Sequence, residues 1–82
     1  MNTFYYVYIL QSETIPTKHY TGHTENIQER LKKHNSGGCP HTAKFRPWLI
    51  QNYFAFNSKE KAIAFEKYLK SGSGREFTRR HF

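Results

Sequence analysis

Three features of this 82-residue chain could do chemistry: a phenol-rich strand, a helix bearing Arg30 and His34, and an isolated glutamate, Glu66. Arg30 and His34 stand at i and i+4, which puts them on one side of a helix. There an arginine can clamp a phosphate, and a histidine can carry a proton or donate a hydrogen bond to phosphate. A solvated amphipathic helix shows the same pair, and Lys32 and Lys33 lie beside it. Ile27 and Leu31 form the apolar stripe, so Arg30 and His34 are expected along the boundary between core and solvent. Glu66 is placed differently. At about 100° per residue, Ala62, Phe65 and Leu69 define one apolar arc, and Glu66 projects inside it. A carboxylate there needs an ion-pair partner or a metal ion, and the residues alone leave both open. Tyr6, Tyr8 and Tyr20 are ordinary core or surface aromatics unless cations surround them. Near a metal and cations, a phenol can lose its proton below its usual pKa of about 10.

The elements that carry these residues follow from pattern. Residues 4–11 are aromatic and β-branched, as a strand requires. Alternation sets Phe4, Tyr6, Tyr8 and Leu10 on one face and Tyr5, Val7 and Ile9 on the other. Both faces are apolar, which predicts a central strand covered on both sides. Residues 12–17 hold Pro16 and are too short for a parallel crossover, so residues 18–23 are expected as an antiparallel second strand. Gly22 in that strand marks a turn or a close backbone approach. Asn26 and Glu29 have the spacing of a capping box, with Thr24 as the alternative cap, before a helix that runs to about Asn35. Residues 36–47 contain Gly37, Gly38, Pro40 and Pro47 and are predicted to be loop, made basic by Lys44 and Arg46. Residues 48–56 form the third strand. Asn57 or Ser58 then caps a helix over 59–70, and Ser73 with Glu76 opens a last helix over 74–81. The order β-β-α-β-α-α predicts an α+β fold: residues 1–82 as one domain, with a small three-stranded antiparallel sheet flanked by helices.

Composition narrows the partner. Thirteen Lys and Arg against six Asp and Glu give a formal net charge of +7, which points to an anionic partner, nucleic acid foremost. Lys32, Lys33, Lys44 and Arg46 are the expected contacts. No segment combines a basic face with a wide apolar one, and no apolar run approaches the ~18 residues of a spanning helix. A membrane partner is therefore not expected. The N-terminus lacks a charged segment followed by an apolar one, and the single Cys39 fits a reducing compartment. A cytoplasmic location is the expectation. Cys39 and His41 are a close pair without the C-x-x-C spacing of a zinc site.

Tyr6–Tyr8 (YVY), Tyr20–Gly22 (YTG), Arg30 eight residues after that glycine, His34 and Glu66 together resemble the GIY-YIG nuclease family. The similarity is greatest to small stand-alone members related to the nuclease domain of UvrC, and covers about residues 4–70. Two positions depart from the pattern: Tyr6 stands at the first glycine and Thr21 in the middle of the second half-motif. The resemblance implies the GIY-YIG fold and metal-dependent hydrolysis of phosphodiester bonds in DNA, in repair or in processing of DNA structures. Under it Tyr8 and Tyr20 are the motif tyrosines and Gly22 the motif glycine. Arg30 is the active-site arginine, His34 the helix histidine, and Glu66 the ligand for Mg²⁺ or Mn²⁺. Tyr8, helped by Tyr20 or His23, would take a proton from the attacking water. Arg30 would offset transition-state charge, and His34 would orient Tyr8 or contact a phosphate. A homodimer or a protein partner would supply targeting, since no appended DNA-binding domain accompanies the motifs. The rival is a non-catalytic nucleic-acid-binding module of the same fold.

Overall fold

The computed structural model describes residues 3–81. Its strands are β1 (Tyr5–Ser12), β2 (His19–Thr24) and β3 (Trp48–Phe56), and its helices are α1 (Ile27–Asn35), α2 (Pro40–Ala43), α3 (Lys59–Lys70) and α4 (Gly72–His81). The sheet is antiparallel in the order β2-β1-β3. The two-sided apolar strand is thus central, as its alternation requires. Val7 and Ile9 pack with Ala62 and Leu69 under α3, with Phe54, Phe65 and Phe77 around them. Tyr8 and Leu10 pack with Trp48 on the opposite face, joined by Tyr20, Leu31 and Phe45. Burying a large apolar side chain contributes about 1.5–3 kcal/mol, so one strand anchors both clusters.

The β1–β3 register slips once. Ile9 faces Asn52 whereas Leu10 faces Ile50, which leaves Gln51 as the extra residue of a bulge. Such a bulge bends the strand and re-aims a side chain.

Capping fixes where the helices start. The Asn26 side chain accepts from the Glu29 backbone N–H at 3.0 Å, while the Asn26 N–H goes to Thr24 Oγ1 at 3.2 Å. Both candidate caps are therefore used, each on a different amide. Ser58 caps α3. Two expectations are corrected. The segment predicted as loop contains α2, because Pro40 sits at its first turn with its φ preset for a helix. The last helix opens two residues early, at Gly72. Its cap is Ser71, whose Oγ accepts from the Gly74 N–H at 3.1 Å, and not Ser73. Gly74 is required there: a Cβ at that position would run into the Tyr68 carbonyl oxygen. Among the described residues no helix is long and apolar enough to cross a membrane.

Candidate active site

The centre of the site is the Tyr8 hydroxyl. In β1, Tyr8 pairs with Gly22, and its ring passes directly over that glycine. A Cβ on residue 22 would lie 2.6 Å from the Tyr8 hydroxyl oxygen, 2.8 Å from Cζ and 3.1 Å from Tyr20 Cε1. The motif glycine thus makes room for the phenol. Gly22→Ala is expected to push the hydroxyl out of place, and activity should fall far more than thermal stability. Parallel melting and cleavage curves for that variant check this; wild-type cleavage would show that the close approach is unimportant.

His34 holds the hydroxyl from the other side. Its Nε2 lies 3.1 Å from Tyr8 Oη and its Nδ1 lies 2.8 Å from Thr42 Oγ1. Thr42 already donates its own hydroxyl hydrogen to the Cys39 carbonyl at 3.2 Å, so it accepts from His34 Nδ1–H. That leaves a lone pair on Nε2 to accept the Tyr8 hydroxyl hydrogen. His34 is 1% exposed, which corrects the boundary position expected for it. The apolar stripe of α1 does not reveal this burial, because α2 and the edge of Tyr20, 4.8 Å away between ring centroids, close over the ring. With both nitrogens engaged, His34 orients Tyr8 and does not reach out to a phosphate.

The electrostatics agree with that assignment. Burial, then the charges of Arg30 and Lys33, push the His34 pKa below its ordinary value, so the ring is neutral near pH 7. Burial and the neighbouring Tyr20 push the Tyr8 phenol well above its ordinary value, while Arg30 pulls it back. The phenol therefore carries its proton and donates it toward a neutral imidazole. A folded-state His34 pKa below the unfolded value makes the unfolded chain bind the proton first. Stability is accordingly complete above about pH 6.5 and declines as the pH falls through that value toward the lower folded one. The ring is faced by Tyr8 and Tyr20 from the sheet, Arg30 and Lys33 from α1, and Thr42 from α2. Melting temperatures between about pH 8 and about pH 5 should drop more for wild type than for His34→Gln, which lacks the titrating ring.

Glu66 approaches from the α3 side of the sheet. One carboxylate oxygen takes a short hydrogen bond from His23 Nδ1, a contact across 43 sequence positions. The other takes Lys70 Nζ at 2.5 Å. Its side chain is 15% exposed. Burial raises its pKa, but the hydrogen bonds and charges of Lys70 and His23 together outweigh this and hold it below the ordinary carboxylate range. Of the two readings open from sequence, the ion pair is present. A metal ion on this carboxylate would have to displace Lys70. Among the described residues no cluster of three or more His, Cys, Asp or Glu could hold a metal ion. A single carboxylate suits a hard Mg²⁺-type ion, which completes its shell with water and phosphate oxygens, and does not suit a four-ligand zinc site.

Arg30 lies within electrostatic reach of both Tyr8 and His34. With His23, Lys32, Lys33 and Lys59 it lines an open cleft of about 800 Å³. Lys44 and Arg46 are exposed but lie outside that cleft, Lys44 resting over the Phe45 ring at 5.3 Å. Thr42 and Lys70 were missed by sequence reasoning, and His23, expected as a helper of Tyr8, is bonded to Glu66 instead. Lys70 at i+4 from Glu66 was the one legible signal; the other two contacts depend on how distant elements pack. Asn35 was missed as well: its amide grips the backbone of Trp48 at both ends, accepting from N–H at 2.6 Å and donating to the carbonyl at 3.1 Å. This ties the end of α1 to the start of β3.

The tyrosine-over-glycine packing, with arginine, histidine and glutamate gathered around it, defines the class. Residues 4–80 match the model of the GIY-YIG catalytic domain, and the chain belongs to the GIY-YIG family. It is 38% identical over 73 residues to the UPF0213 protein BH0048 of Halalkalibacterium halodurans, covering 88% of this chain and 76% of that protein. The solution structure of BH0048 superimposes with a TM-score of 0.56 at 36% identity, over 93% of this chain and 80% of that one. The chain is also 43% identical over 74 residues to the structure-specific endonuclease subunit SLX1 of Debaryomyces hansenii, with 82% of this chain covered. It spans only 21% of that relative's length.

Proposed function

We propose that the chain is a divalent-metal-dependent endonuclease that hydrolyses phosphodiester bonds in DNA, in repair or processing of branched structures. The observation that carries this is the Tyr8 hydroxyl donating to a neutral, buried His34, with Arg30 and Glu66 in electrostatic reach of the same phenol. A water placed against Tyr8 passes its proton to the phenol oxygen while the phenol hydrogen moves to His34 Nε2. The hydroxide so formed attacks phosphorus, and the P–O bond opposite it breaks. Arg30 offsets the charge that builds on the phosphoryl oxygens, where such a contact lowers the barrier. Glu66, released from Lys70, would hold Mg²⁺ or Mn²⁺, which supplies Lewis-acid stabilisation of the phosphate and the leaving oxygen. Thr42 sets the His34 tautomer.

SLX1 is named as a structure-specific endonuclease subunit. This supports structured DNA as the substrate and a partner protein as the source of targeting. The test is a panel of supercoiled plasmid, branched and single-stranded DNA, with Mg²⁺, Mn²⁺ or chelator. Cleavage of branched or plasmid DNA that chelator abolishes is expected. Binding should weaken steeply with salt, as phosphate-driven contacts do. Salt-sensitive binding with every substrate left intact would instead identify a binding module.

A further inference from the structure

The two oxygens of the Glu66 carboxylate are held by partners of different kinds. Oε1 accepts from His23 Nδ1, and Oε2 accepts from Lys70 Nζ at 2.5 Å. The geometry points to a division of labour between them. His23 is a positioning residue that keeps the carboxylate aimed, and Lys70 is the exchangeable occupant of Oε2 whose place a divalent cation takes. The assignment rests on the nuclease reading above and adds to it what sets the metal affinity.

His23 is fixed by the sheet. It stands in β2 opposite Val7 of the central strand, and its bond reaches Glu66 across 43 sequence positions. A carboxylate only accepts, so Nδ1 carries the hydrogen of this bond. Turning Glu66 to another rotamer would break the contact. The imidazole N–H can go on donating to one oxygen while a cation holds the other.

Lys70 is held more loosely. It lies one turn on from Glu66 in α3, as an i,i+4 pair, and its side chain is 51% exposed. Such a pair contributes little, because solvent screens it and a flexible stem has to be ordered to make it. Once released, the ammonium returns to water with no burial to undo. While it stays, it neutralises a carboxylate that is only 15% exposed. It also occupies the oxygen and repels a second cation at the same place. A single carboxylate gives a divalent ion few protein ligands, so one competing ammonium matters to the affinity.

The experiment titrates Mn²⁺ into the DNA-free chain at one near-neutral pH and reads free Mn²⁺ by electron paramagnetic resonance, with no turnover involved. Lys70→Met keeps the stem and removes the charge. It is expected to bind Mn²⁺ about threefold tighter than wild type, the scale of an exposed ion pair expressed as affinity. His23→Ala should bind about threefold more weakly, the scale of a side chain freed among three staggered wells. His23→Asn, whose amide N–H can reach the same oxygen, should restore the wild-type value. Lys67→Met is the control: Lys67 neighbours Glu66 in α3 and makes no ion pair among the described residues, so its removal should change affinity far less. All three side chains are exposed, and every variant is expected to fold.

Unchanged or weaker binding by Lys70→Met overturns the exchange, as does equal tightening by Lys67→Met. So does Mn²⁺ that Glu66→Gln binds as well as wild type, or no bound Mn²⁺ in either wild type or Lys70→Met. His23→Ala at wild-type affinity, or His23→Asn as weak as His23→Ala, overturns the positioning role. The nuclease reading fails separately, if DNA stays intact with Mg²⁺ or Mn²⁺ while these opposite shifts in Mn²⁺ affinity are measured.

Discussion

Glu66→Gln is expected to lower metal-dependent cleavage by at least about 10²-fold, the scale of losing one group that stabilises transition-state charge. The amide keeps the shape of the side chain, but only its oxygen accepts, so one of His23 and Lys70 loses its acceptor. It also loses the charge that Lys70 pairs with. Those partners are 40% and 51% exposed, so solvent screens the pair and the stability cost should stay near that of surface pairs, roughly 0–1 kcal/mol. The sign matters. An unpaired carboxylate in an apolar arc would make the substitution neutral or stabilising, whereas the paired one seen here makes it mildly destabilising. Binding in chelator should hardly change. Melting temperature and nicking rate, measured on the same preparations, decide the matter: unchanged cleavage per folded molecule would remove Glu66 from the chemistry.

Tyr8→Phe should lose roughly 10²–10⁴ in turnover, the range contributed by a positioned proton-transfer group. The ring remains packed with Leu10 and Trp48, so the core is kept. The cost lies in the buried His34 Nε2, which loses its donor and leaves an unsatisfied acceptor worth about 1–3 kcal/mol. The variant therefore melts lower and still folds. Because the group acts on the transition state, kcat should fall while DNA affinity in chelator holds. A Tyr8→Phe enzyme that turns over like wild type would falsify the phenol relay.

Much of this was readable from local signals. The two apolar faces of β1 announced a central strand. Strong aromatic and β-branched content bounded β3, and Ser58 with a periodic helix bounded α3, at the residues observed. The motif residues pointed to the tyrosine, arginine and glutamate that the fold gathers. What stayed hidden depends on distant packing. His34 is buried because α2 folds over it, and α2 itself lay in a stretch whose Gly and Pro content spells loop. The Glu66–His23 contact joins α3 to β2 across the edge of the sheet. The Gln51 bulge has no glycine to mark it, so strand pattern alone runs straight through.

The alternation of β1 has an evolutionary and engineering corollary. Core and chemistry share one strand, separated only by odd and even positions: Val7 and Ile9 serve one side, Tyr8 and Leu10 the other. Inserting a single residue just ahead of Tyr8 would exchange the two sets against the turns and partners that fix them. The phenol would then face α3, and the inserted residue would take its place against His34. Length changes are thus excluded from this strand even where conservative replacements are not. The exposed stretch at residues 13–18 carries no such constraint, so tags and lengthened loops belong there.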